Sequence, residues 1–108
     1  MEENDLRLLV GFLQERLQDA TAVVCYNDEI AYSMVQALFA AGRRVPEDTA
    51  VVSFDNSYLS QLGPVPITSL GPRSHIGRAA AEHMIALLNG EMPASEFLEW
   101  KLVPRGSG

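Results

Sequence analysis

The chain has 108 residues, 47% of them apolar, which suits one small domain with a packed core. Its 14 acidic against 8 basic residues give a net charge of −6 and exclude a segment that grips phosphate backbones by itself. The single cysteine excludes an internal disulfide, and no apolar run nears the roughly 18 residues of a membrane span.

Residues 4–19 place Leu6, Leu9, Val10, Leu13 and Leu17 at helical spacing behind Asn4, an expected N-cap. TAVVCY (21–26) is short, β-branched and apolar, the pattern of a strand covered on both faces. A helix is expected from Asn27 or Asp28 to about Ala41, with Gly42 as its stop. On it Ile30, Met34 and Leu38 form an apolar stripe, the expected core face. Tyr32, Val35 and Phe39 form a second stripe, which predicts an interface, or else packing under the 57–66 loop. RRVPED is a turn, in which Pro46 blocks the helix and Asp48 bonds the local backbone.

TAVVSF (49–54) repeats the buried-strand pattern and ends in Asp55, Asn56 and Ser57. After a loop with Gly63, Pro64 and Pro66 comes a short strand, PITSL. Residues 74–89 read as a helix with Ile76, Ala80, Met84 and Leu87 inward and Gly90 as its stop, and EWKLVPRG adds an edge strand. Helices alternating with doubly covered strands predict an α/β fold, a parallel sheet flanked by helices.

In such sheets ligands sit beyond the carboxyl ends of the strands. Asn27–Asp28 and Asp55–Asn56 both fall there, on adjacent strands, and so mark the rim of a cleft. Carboxylates beside carboxamides read hydroxyl groups well, because Asp accepts while Asn both donates and accepts. The same residues also serve as a helix cap and a turn opener, and spacing alone leaves both readings open. An enzyme using Asp28 and Asp55 as paired carboxylates lacks the strand-end lysine a phosphoacceptor site wants, since Lys101 falls near the C-terminus. No nucleophile motif surrounds Cys25, and His75 and His83 show no metal-ligand spacing with it. No catalytic residue, metal or cofactor is expected.

The stretch TAVVCYNDEIAYSMVQALFAAGRRVPEDTAVVSFDNSYLS, then PITSLGPRSHIGRAAAEHMIALLNG and LVPRGS, resembles the C-terminal part of the effector domain of the lactose/galactose-repressor family. The resemblance covers about residues 5 to 107, and CYND with SFDNSYL looks most like arabinose repressors. It implies a partial periplasmic-binding-protein-like, Rossmann-like clamshell lobe, with residues 20–70 as its βαβ core and 74–107 docking on the other lobe. It implies a sugar effector such as L-arabinose, contacted by Asn27 and Asp55 with Asp28 and Asn56 beside them. It further implies a homodimer with Tyr32 at the contact, and operator DNA bound only through a missing N-terminal domain.

Two departures stand out. Where the family often carries a Gln or His ligand contact, this chain has Gly71, and such an effector domain needs about 270 residues. The expected function is therefore the effector-binding and dimerisation part of a cytoplasmic bacterial repressor. A transport-type sugar-binding protein of the same fold is the alternative, although MEENDLRLL does not read as an export signal. LVPRGSG also spells a thrombin-cleavage linker, and the family's own last strand accounts for it as native sequence.

Overall fold

The computed structural model describes residues 3–108; the side chains of Glu3, Asp5 and Leu6 lie outside the described set. The elements follow as α1 (Glu3–Arg16), β1 (Ala22–Val24), α2 (Asp28–Ala40), β2 (Ala50–Phe54), a 3-10 turn (Tyr58–Gln61), β3 (Thr68–Pro72), α3 (Ile76–Leu88) and β4 (Trp100–Val103). The first helix begins before Asn4, so Asn4 is an interior residue rather than the expected cap. Strand order is β1-β2-β3-β4. The first three strands are parallel, with Val23 opposite Val51 and Ser53 opposite Ser69.

Both glycine stops are where the sequence puts them. At the end of α2, Gly42 takes φ +78, its N–H reaching the Phe39 carbonyl while the Arg43 N–H reaches that of Leu38. That left-handed cap satisfies carbonyls the helix leaves open, and only glycine adopts it without steric cost. The following turn closes through Asp48, which accepts from the Arg44 backbone N–H at 2.7 Å and from its guanidinium. Arg43 reaches back to the carbonyls of Leu17, Gln18 and Ala20, so it also finishes the α1–β1 connection.

The chain divides into two compact units, Pro72–Lys101 and the remainder, which takes in the segment Leu102–Gly108. In the larger unit the core gathers Leu13 from α1, Ala31, Met34, Val35, Ala37 and Leu38 from α2, and Cys25, Val45, Val51 and Ile67. Two expectations for α2 change here. Val35 is 2% exposed and belongs to this core, so it cannot serve an interface, whereas Ile30 of the expected core stripe is open to solvent. The cause is that α2 packs against α1 as well as against the sheet, which covers its flank as well as its underside.

The strands are covered on one face only. Val24 is 68% exposed, and Val24, Val52, Phe54, Leu70, Leu102 and Pro104 line a hollow of about 400 Å³ on the opposite face. Doubly apolar strands ask for helices on both sides. Within this unit α1 and α2 supply one.

The segment 104–108 is built into the larger unit. Ser107 is fully buried: its N–H donates to the Pro66 carbonyl at 3.0 Å, and its Oγ accepts from Thr68 N–H at 2.8 Å. Its carbonyl takes the Val51 N–H at 2.8 Å. A disordered linker would make none of these bonds.

In the smaller unit α3 carries no buried residue, which corrects the expected inward set of Ile76, Ala80, Met84 and Leu87. Those four line an open hollow of about 510 Å³ with Ser95, Glu96 and Leu98, where His83 meets Glu96 at 3.1 Å. Among the described residues no helix is long and apolar enough to cross a membrane.

Candidate functional site at the carboxyl edge of the sheet

Because β1 and β2 run parallel and adjacent, Asn27 and Asp55 each follow the carboxyl end of a neighbouring strand. The residues between them do different jobs. The Oδ1 of Asn27 accepts from the Ile30 N–H at 2.9 Å and caps α2, which leaves its amide NH2 as the donor half of the side chain.

Asp28 turns inward. It is 1% exposed, and its Oδ1 accepts from the Ser53 and Ser69 hydroxyls, the latter at 2.7 Å. Its Oδ2 accepts from the Ser57 N–H at 2.6 Å. One carboxylate thus ties α2 to β2, to β3 and to the turn after β2. Burial alone would push this carboxyl up, but the hydroxyl and amide donors outweigh it and hold the group below the usual carboxylate range. Asp28 therefore stays charged at neutral pH with no surface for a substrate.

The turn after β2 carries two left-handed residues in succession, Asp55 at φ +100 and Asn56 at φ +50. Such positions cost on the order of 1–3 kcal/mol each, so something must hold them. Three consecutive amides do so: Asp55 N–H to the Leu70 carbonyl at 2.8 Å, Asn56 N–H to Ser69 Oγ at 2.9 Å, and Ser57 N–H to Asp28. With its backbone pinned, Asp55 stands exposed at the edge, where a carboxylate can accept hydrogen bonds from hydroxyl groups. Asn56 is half-buried, and its Oδ1 accepts from the Arg105 guanidinium at 2.6 Å.

Gly71 lies directly beneath. A Cβ there would come within 2.5 Å of the Asn56 Cβ and 2.7 Å of the Asp55 carbonyl oxygen. The absent side chain thus makes room for the turn.

Ser53, Ser69 and Arg105 escaped the reading of the sequence. The available signal was parity: Ser53 is the polar residue of β2 and Ser69 one of two in β3, both at positions that face Asp28 of α2. Cys25 is a core residue whose thiol burial pushes up to about 11, so it is no nucleophile at neutral pH. Among the described residues no His, Cys, Asp and Glu cluster could hold a metal ion.

A sequence profile of the periplasmic binding protein-like domain matches residues 1–108. The chain belongs to the periplasmic binding protein-like domain family. Relatives in this family include the HTH-type transcriptional regulator CelR of Thermobifida fusca, 36% identical over 89% of this chain and 29% of its own length. The arabinose metabolism transcriptional repressor of Halalkalibacterium halodurans is 34% identical over 80% of this chain and 23% of its own. A solved CelR–cellobiose complex superposes with a TM-score of 0.82 at 33% identity, covering 95% of this chain and 32% of that one. This chain spans less than a third of the length of these relatives. Both are transcriptional regulators, one solved with cellobiose and the other named for arabinose metabolism.

Proposed function

We propose that this chain is the sugar-facing and dimerising part of the effector domain of a bacterial transcriptional repressor of the lactose/galactose-repressor family. The observation that carries the reading is the outward Asp55 on a pinned left-handed turn beside Asn27, in a fold shared with a cellobiose-bound regulator. Direct contact with sugar hydroxyls falls to Asp55 as acceptor and Asn27 as donor. Asp28 and Asn56 hold the turn from inside and beside it. The sugar binds the closed clamshell more tightly than the open one and so shifts its population, which alters the spacing of DNA-binding heads against their half-sites. In this reading operator DNA is bound by a separate N-terminal module, the regulator is cytoplasmic, and residues 74–101 dock on the other lobe, whereas the rest of the expected 74–107 segment stays with the larger unit.

L-arabinose is the effector we assign first, on the CYND and SFDNSYL wording; the similar identities to CelR and to the arabinose repressor support a sugar as a class. Dimerisation uses the outer side of α2, where Tyr32 with Leu8, Phe12 and Ile30 lines an apolar hollow of about 730 Å³. Phe39 extends that side and is 41% exposed.

The test is the complete regulator on an operator fragment, followed by fluorescence anisotropy with L-arabinose, cellobiose and lactose. One sugar should release the DNA, and Asp55→Ala should abolish that release while leaving DNA affinity intact. Release unaffected by Asp55→Ala would overturn the assignment of the site.

A further inference from the structure

The guanidinium of Arg105 sits where the segment 104–108 passes the Asp55–Asn56 turn, and it bonds on both sides of its fork. One nitrogen, Nη1, donates to Ser60 Oγ at 2.8 Å and to the Ile67 carbonyl at 2.9 Å. The other, Nη2, donates to Asn56 Oδ1 at 2.6 Å. Ser60 in turn donates to the Ser57 carbonyl at 2.6 Å, so the same side chain braces the turn through Asn56 and, by way of Ser60, through Ser57. The brace is itself anchored. Arg105 N–H donates to Thr68 Oγ1 at 2.8 Å, and two residues on Ser107 is sealed between the starts of β2 and β3.

We propose that Arg105 is a positioning residue for the ligand-bearing turn, holding Asn56 so that Asp55 is presented at the carboxyl edge of the sheet. The functional weight of this rests on the reading of Asp55 as a sugar contact; the geometry does not. The three inward amides fix the backbone of residues 55–57 from one side, and a left-handed Asn56 needs its side chain held from the other. An arginine suits the task because its planar fork reaches acceptors in two directions at once. A lysine, with one ammonium on a flexible stem, offers no such fork.

The experiment is amide hydrogen exchange by NMR on this chain, with the Asn56 and Ser57 amides as reporters of the turn and those of Ala37 and Cys25 as reporters of the core. Arg105→Gln should speed the turn amides about tenfold or more relative to the core amides, and Arg105→Lys should do much the same. Asn56→Ala removes the same bond from the other end and keeps residues 104–108 intact, so it should reproduce the effect even if Arg105→Gln folds poorly. Asn56→Asp, which keeps an acceptor for the guanidinium, should retain slow exchange. The double variant Arg105→Gln with Asn56→Ala should be no faster at the turn than Asn56→Ala alone. Turn amides unchanged by Arg105→Gln and by Asn56→Ala, or turn and core amides accelerated by one common factor, would overturn the proposal. No sugar enters the measurement, so a failure of the sugar reading leaves this result standing, and the reverse holds too.

Discussion

Asp28 is charged, buried and held by three donors, and its removal strands all three. Unmade bonds to buried groups cost roughly 1–3 kcal/mol each, with partial relief from water. Asp28→Ala should therefore destabilise the chain by about 2–4 kcal/mol in urea titration. The pH dependence has a definite sign. Because the folded carboxyl lies below its unfolded value of about 3.9, its contribution is present above that pH and lost as pH falls through the folded value. Asp28→Asn, which does not titrate, should lose less stability than the parent when both are taken from pH 6 into that acid range. An equal loss would mean that other carboxylates carry the acid sensitivity. In the sequence Asp28 stands beside Asn27 with the same claim to the rim. The helical phase of α2 turns one inward and leaves the other to cap.

At the scale of elements, α2 and the segment 104–108 make separable predictions. The outer side of α2 presents Tyr32 and Phe39, while Val35 between them is buried. Tyr32→Lys with Phe39→Glu should split a dimer into folded monomers in sedimentation at tens of micromolar, as circular dichroism checks. A parent that is already monomeric there, unmoved by the double change, would end the interface assignment. Tyr32 also leans on Gly63, so part of its surface serves the fold. The segment 104–108 is tested by a protease. LVPRGS as a free peptide suits thrombin, but here Arg105 is held by three acceptors and Ser107 is buried. Cleavage after Arg105 should run at least about tenfold slower than in the isolated peptide and accelerate with added urea, because a protease cuts the opened form. Cleavage at the peptide's rate would mean the segment is detached in solution. Helix ends were legible from Gly42 and Gly90 because a left-handed cap is a local requirement. The integration of 104–108 was less so, since its partners Thr68, Val51 and Pro66 lie some 40 residues or more away in the chain.

Taken unit by unit, the sheet of the larger unit keeps one face without a helix of its own, and α3 of the smaller unit has no buried residue. A sugar site in a clamshell takes contacts from both lobes and excludes water on closing. On the proposed reading this chain carries one edge of such a site, and Gly71 gives its turn no further side chain. Calorimetry with L-arabinose, cellobiose or lactose on the chain alone should show no micromolar binding. Affinity in that range would mean that the Asn27–Asp55 edge suffices.

The sequence by itself determined the parallel α/β order, both glycine caps, the Asp48 turn and the placement of Asn27 and Asp55 past neighbouring strand ends. Each of these follows from local preference or from periodicity, which act over a few residues. The tertiary structure decided what those positions face. Val24 and Val52 hold the same register place in two similar strands, yet Val24 in the edge strand is 68% exposed and Val52 is half-buried. Val35 belongs to the core, Asp28 binds serines from two other strands, and Arg105 reaches Asn56 across 49 positions. Periodicity reports which way a side chain points. What it meets there is set by packing between segments distant in the chain.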